Sequence, residues 1–130
     1  PDHSFVGDFF GSPGLYVLLA EVQVRQALIA GHALGLDKSY GALPAGARIE
    51  IGVRPEFVAV AAPAPGLLAA EIERIDDLGR SRFARLRVGN LKLAARMPKG
   101  LSIAGSAAGL VFDPAQIHVY ADSRRVEGTA

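Results

Sequence analysis

Cysteine is absent from this chain, so no disulfide can staple its fold, and an intracellular address stays open. An excess of charge of either sign is also missing. The formal net charge over 130 residues is +1, too balanced to make DNA or an anionic lipid surface the main partner. No apolar run approaches the ~18 residues that a membrane-spanning helix needs, and no charged-then-apolar stretch opens the sequence. There is no Gly-x-x-x-x-Gly-Lys-Ser/Thr loop. Gly31-His32-Ala33-Leu34-Gly35 lacks the lysine and the helix start that would let such a loop cradle phosphate. These absences argue against nucleotide hydrolysis by this chain alone, and no nucleotide affinity is expected of it.

Other catalytic patterns are equally thin. His3, His32 and His118 have no second histidine or carboxylate at metal-ligand spacing on one element. They read as ordinary surface or interface residues. Ser12, Ser39, Ser81, Ser102, Ser106 and Ser123 read as turn residues, with no Gly-x-Ser-x-Gly elbow around them. No catalytic, cofactor-binding or metal-binding residue is assigned.

What is present is apolar and punctuated. Hydrophobic residues make up 50% of the chain and its mean hydropathy is +0.26, which excludes a disordered segment. A chain of this length buries roughly two thirds of its unfolded surface and suffices for one domain. Fifteen Gly and eight Pro separate short runs, which favours a small all-β barrel or sandwich. Helix is expected in less than about a fifth of residues, below the usual globular share. Tyr16 to Arg25 alternates, with Ala20, Val22 and Val24 on one face. Gln26 to Leu36 reads as a weaker strand after a turn, and Arg48 to Val53 as a clean strand. Phe57 to Ala61 follows, and Pro63-Ala64-Pro65-Gly66 is the best internal boundary.

Leu68 to Asp77 and Arg82 to Val88 form a hairpin around Leu78-Gly79-Arg80-Ser81, with a bulge near Glu73-Arg74 turning both Ile72 and Ile75 inward. Asn90 to Arg96, Ala107 to Val111 and His118 to Ala121 complete the strands. Asp113 caps a single helical turn led by Pro114. The expected core is Ile49, Ile51, Val53, Ile72, Ile75, Leu86, Val88, Leu110 and Val119. Some eight short strands fit an OB-like barrel, and residues 123–130 read as a loose tail.

Three surfaces invite a partner. Arg80, Arg82, Arg85, Arg87, Lys92 and Arg96 form a basic stretch. Glu71, Glu73, Asp76 and Asp77 lie on the partner arm, so a solvated, cross-paired sheet face is favoured over a nucleic-acid platform. Arg54-Pro55-Glu56 stops a strand, since proline cannot donate to a ladder. It is either a structural corner or an interface between chains. Phe9-Phe10 precedes a Gly-Ser-Pro-Gly turn and is either an exposed patch or core.

Phe5-Val6-Gly7-Asp8-Phe9-Phe10-Gly11-Ser12-Pro13, Ile51-Gly52-Val53-Arg54-Pro55-Glu56 and Val111-Phe112-Asp113-Pro114-Ala115-Gln116-Ile117-His118-Val119-Tyr120 together span nearly the whole chain. In this order they resemble the C-terminal regulatory (TOBE, OB-like) domain of ATP-binding subunits of sugar-, polyol- and glycerol-phosphate-type ABC importers. Leu78-Gly79 resembles that family's turn after an acidic pair. Leu15 and Tyr16 stand where the family usually carries Met-Asn.

The resemblance implies that residues 1–13 are a linker from a nucleotide-binding domain, 14–122 an OB-like regulatory domain and 123–130 a tail. The start at Pro1 rather than Met fits sequence upstream. ATP and magnesium are expected in that upstream domain, whose signature motifs this chain lacks, and no cofactor is expected here. The expected partners are a second copy, the upstream domain, a permease and a regulatory protein, at the cytoplasmic face of a bacterial inner membrane and without nucleic acid. Gly52, Arg54, Pro55, Glu56, Phe9 and Phe10 are the candidate interface residues. The rival readings are an oxyanion-binding module of molybdate type and a stand-alone OB-fold nucleic-acid binder.

Overall fold

The computed structural model describes residues 7–9 and 12–130. The described residues form twelve strands: β1 Gly7–Phe9, β2 Ser12–Leu19, β3 Glu21–Ile29, β4 His32–Tyr40, β5 Ile49–Val53, β6 Val58–Ala61, β7 Leu68–Asp77, β8 Arg82–Val88, β9 Leu91–Met97, β10 Ala107–Phe112, β11 His118–Ala121 and β12 Arg124–Val126. The helical content described is two three-residue 3-10 turns, Pro55–Phe57 and Pro114–Gln116. The fold is all-β.

One antiparallel ribbon runs through the molecule. β5 pairs with β11, Ile51 opposite Val119 and Gly52 opposite His118. β6 pairs with β10 in the same register, Val58 opposite Phe112 and Ala61 opposite Gly109. The two proline turns interrupt both strands of this ribbon at one level, and Asp113 N–H donates to Phe57 O there at 3.1 Å. A proline opening each turn supplies no ladder donor, so each strand bends at this level. On one side of the bend the ribbon belongs to a sheet ordered β1-β2-β5-β11-β12. On the other it belongs to a closed barrel ordered β10-β6-β9-β8-β7.

The barrel closes through the β10–β7 pair and a parallel contact between Ala59 of β6 and Arg96 of β9. Alternate residues fill it: Val58 and Val60, Ala84, Leu86 and Val88, Leu93, Ala95 and Met97, and Leu110 and Phe112 are all buried. Tyr16, Leu18, Ile51, Val53 and Val119 extend the same cluster under the open sheet. β3 and β4 form a separate two-stranded ribbon whose Ala27, Ile29, Leu34 and Leu36 join that core.

Several local expectations are corrected. The alternation from Tyr16 to Arg25 is split at Ala20. Val24 sits at an irregularity in β3 with φ of 53° and stays exposed rather than facing Ala20's side. Gln26 to Leu36 is not one strand. Ala30 and Gly31, both with positive φ, turn the chain back as a hairpin, and this occupies the Gly31 to Gly35 stretch. Ser12 and Ser39 lie in strands, not turns.

The bulge after Ile72 is present, and it sets Ile75 opposite buried Ala84. Yet Ile75 remains 45% exposed, because β10 pairs β7 only over Leu68 to Glu71 and the hairpin beyond has lost that neighbour. Ile72 and Ile49 are half-buried, while the other expected core residues are buried. Pro63–Gly66 divides no unit, since β6 before it lies inside the barrel. Residues 123–130 are not a loose tail. β12 pairs with β11, and Ser39 and Thr129 exchange backbone hydrogen bonds of 2.7 and 2.8 Å.

The facing predicts a measurable contrast. Ile51→Ala and Leu86→Ala, at fully buried positions, should each lose roughly 2–5 kcal/mol in urea titrations. Ile75→Ala should stay within about 0.5 kcal/mol of the parent.

Candidate interaction site

The Arg54-Pro55-Glu56 corner is built by the ribbon's bend. Arg54 is still extended, at φ −79° and ψ 146°. Pro55 then opens the turn, Phe57 N–H closes onto Arg54 O at 3.0 Å, and Val58 N–H returns to Pro55 O as β6 begins. Arg54 and Glu56 are exposed and Pro55 is half-buried. Gly52 is buried and presents nothing to a partner. A Cβ there would lie 2.8 Å from Cε2 of Tyr120 and 3.3 Å from a methyl of Leu15, so glycine is what lets the tyrosine ring lie across β5. Phe9 is described by its backbone, opposite Ser12 in the β1–β2 pair. Phe10 lies outside the described residues.

Beside Pro55 and Glu56 runs a mostly apolar groove of about 470 Å³, floored by Tyr16, Phe83, Ala94 and Ala95 and ended by Arg96. Tyr16 anchors it. Its hydroxyl donates to Ala94 O and accepts the Ala94 N–H at 3.1 Å. Burial pushes the Tyr16 pKa up while the bond to Ala94 acts the other way, so the hydroxyl remains a donor at neutral pH. Phe83 and Ala94 continue the groove into a second one bounded by Ile75, Asp77, Leu78 and Arg85. Phe83, Ile75 and Leu78 are 36%, 45% and 67% exposed. A strip of apolar side chains flanked by charged ones therefore runs from the corner to the hairpin tip, with Glu56 and Arg96 at one end and Asp77 and Leu78 at the other, where Arg80 follows in the hairpin turn. Such a strip suits a protein surface better than a small molecule.

Sequence reasoning placed the corner but not the strip. The signal was available, because Phe83 lies between inward-facing Ala84 and solvent at an outward position of the alternation.

The basic stretch is largely engaged by its own hairpin. Asp76 bridges Arg74 at 2.6 Å and Arg85 at 3.2 Å, and Arg87 pairs with Glu71 and, at 3.5 Å, with Glu73. The Arg85 hydrogen bond, followed by Arg74's, holds the Asp76 carboxyl below its usual pKa. Arg82 donates to Leu101 O at 2.7 Å. The solvated, cross-paired face is what these bonds describe. Among the described residues no three His, Asp or Glu side chains are placed to hold a metal, and no helix is long and apolar enough to cross a membrane. His32 opens β4, and His118, half-buried in β11, faces Gly52 across the ladder.

A small β-barrel joined by a shared ribbon to an open sheet defines an all-β domain of OB-like type. The chain belongs to the TOBE domain family, which it matches over residues 51–120. It is 29% identical over 97% of its length to the sn-glycerol-3-phosphate import ATP-binding protein UgpC 1 of Rhizobium johnstonii. It is 31% identical over 92% of its length to the UgpC protein of Escherichia coli O157:H7. It spans about a third of these relatives, 36% and 35% of their lengths.

Two outcomes follow from this geometry. Gly52→Val should destabilise the fold strongly, and Tyr120→Ala should restore part of the loss, measured by chemical unfolding as a double-mutant cycle. Burial first, and then the charge of Arg125, hold the His118 pKa below its ordinary 6.5, with Lys38 and Arg54 adding and Glu127 opposing. The unfolded chain therefore binds the proton first. Stability is full above that ordinary value and falls as pH drops through the window beneath it. Unfolding free energies between about pH 7 and pH 5 should show this slope, and His118→Gln should flatten it.

Proposed function

We propose that this chain is the accessory C-terminal domain of the ATP-binding subunit of an ABC importer for sn-glycerol-3-phosphate or a similar polyol phosphate. The observation that carries the reading is similarity over 92–97% of the chain to about a third of proteins so named. In this role the domain neither binds nor hydrolyses nucleotide. ATP and magnesium belong to a catalytic domain upstream, and the assembled subunit works with a permease at the cytoplasmic face of the inner membrane. A regulatory protein is a further candidate partner.

The domain's own task is to hold two subunits together while their ATP sites open and close. The support is the strip beside Arg54-Pro55-Glu56, whose ends carry one charge of each sign. In a two-fold docking the Leu78 end of one copy meets the Pro55 end of the other. Asp77 then faces Arg96, Arg80 faces Glu56, and Phe83 and Ile75 of both copies pack at the centre. Isologous contacts require this self-complementarity. Arg54 lies at the margin, where reversing its charge disturbs the same contact.

Sedimentation of the chain at high concentration should show a monomer–dimer equilibrium. Arg54→Glu should weaken it, and Arg54→Glu combined with Glu56→Arg should partly restore it. A strict monomer at millimolar concentration would remove the pairing role and leave an accessory domain without it.

A further inference from the structure

β3 and β4 form a sheet of their own, and the ladder between them is broken in two. Near the base Val24 pairs with Tyr40, and the next pair is Gln26 with Gly35. Among the described residues, Leu36 to Ser39 therefore have no paired residue in β3. Only the exposed Arg25 guanidinium spans this break by a side chain, donating to Asp37 O at 2.7 Å. Beyond it, residues 26–35 form a short hairpin closed by Ala30 and Gly31, both at positive φ. The base is fixed from outside, by the Ser39–Thr129 backbone pair and by Ala20 N–H on Ile49 O. Among the described residues, no backbone hydrogen bond outside the strand ladders reaches 26–35.

Apolar packing seats this hairpin. Ala27 and Ile29 are fully buried and Leu34 is buried, and β4 lies against β7. The tip rests on the β8–β9 turn, where a Cβ at Gly89 would lie 2.9 Å from Ala30 Cβ, so glycine makes the seat. Detaching a barrel strand breaks ladder hydrogen bonds as well as burial. Lifting this hairpin exposes apolar surface and leaves its own ladder intact, so it is the less costly opening. Val24 marks where it bends. Its φ of 53° is left-handed, a region that a β-branched residue rarely adopts. The Val24 side chain is 63% exposed, so its own packing does not hold it there. The seated hairpin imposes the angle, and lifting releases it.

We propose that residues 26–35 are a hinged flap that lifts from the barrel as a unit, about Val24 and the Leu36 to Ser39 break, while the barrel and the open sheet stay folded. Seated, the flap closes the core. Lifted, it bares Ala27, Ile29 and Leu34 together with the apolar side chains they cover. The device is independent of whether the domain pairs subunits, because none of its residues lines either groove of the strip.

Native-state hydrogen exchange of the 130-residue chain, followed by nuclear magnetic resonance at several urea concentrations below the unfolding transition, tests it. The ladder amides of residues 26–35 should share one opening equilibrium, with protection on the order of a hundredfold or more below that of barrel amides such as Leu86 and Leu93. Their exchange should respond weakly to urea, because lifting exposes little surface, while barrel exchange rises steeply. Ile29→Ala removes a buried anchor and should speed flap exchange about tenfold or more. Val24→Asn, at an exposed position, suits the left-handed angle better and should slow flap exchange severalfold without altering its ladder. Flap exchange that keeps step with the barrel at every urea concentration, or that neither variant moves, overturns the flap.

Discussion

The rest of the structure depends on a single antiparallel register that runs unbroken from β5 and β11 into β6 and β10. Each strand of that ribbon changes sheet at a proline turn, and the Phe57–Asp113 hydrogen bond keeps the two turns level. If one strand slipped by a residue, every side chain beyond the slip would change face. Val53 and Val119 on one side of the bend, and Val58 and Phe112 on the other, would then leave the core together. The two prolines limit this by fixing where both strands bend. The residues matched by the TOBE family, 51–120, begin and end within this ribbon.

The same bend places the candidate site. The corner is exposed because the ladder cannot continue through Pro55, and the groove exists because the bend brings Tyr16 of the open sheet against Ala94 of the barrel. The fold's geometric necessity and its candidate partner surface are therefore one feature. At Arg54-Pro55-Glu56 the residues turn the ribbon, and the groove beside them is the surface on which the proposed pairing rests.

How much was legible in the sequence follows from how local each cause is. The β7–β8 hairpin was readable because alternation and a Gly-containing turn are neighbours in the chain, and the Asp113 cap because Asp-Pro acts over a few residues; its side chain accepts the Ala115 N–H at 3.1 Å. The exposure of Ile75 was not readable, since it depends on where β10 stops. The irregularity at Val24 was equally hidden, because a β-branched residue with positive φ is a conformation that propensity argues against. The C-terminal segment looked loose because its stabilising partners, β11 and Ser39, are set by topology rather than by its own composition. At the candidate site, the charged pair flanking Pro55 was legible, whereas the groove needed Tyr16 and Ala94 to be brought together from distant positions.

The ribbon also governs how the chain acquires its structure. The β7–β8 and β8–β9 hairpins close short loops and need little chain entropy to be lost before contacts form. The pairing of β5 with β11 closes a loop that contains the whole barrel, and loop closure grows costlier with length. Topologies dominated by such distant pairings fold slowly. β11 follows β10 and the Asp113 turn in the chain, so the open sheet gains its β5–β11 pair only across the loop that holds the barrel. Barrel and sheet share that ribbon, and a cut at Pro63–Gly66 would yield two fragments that each lack half of it.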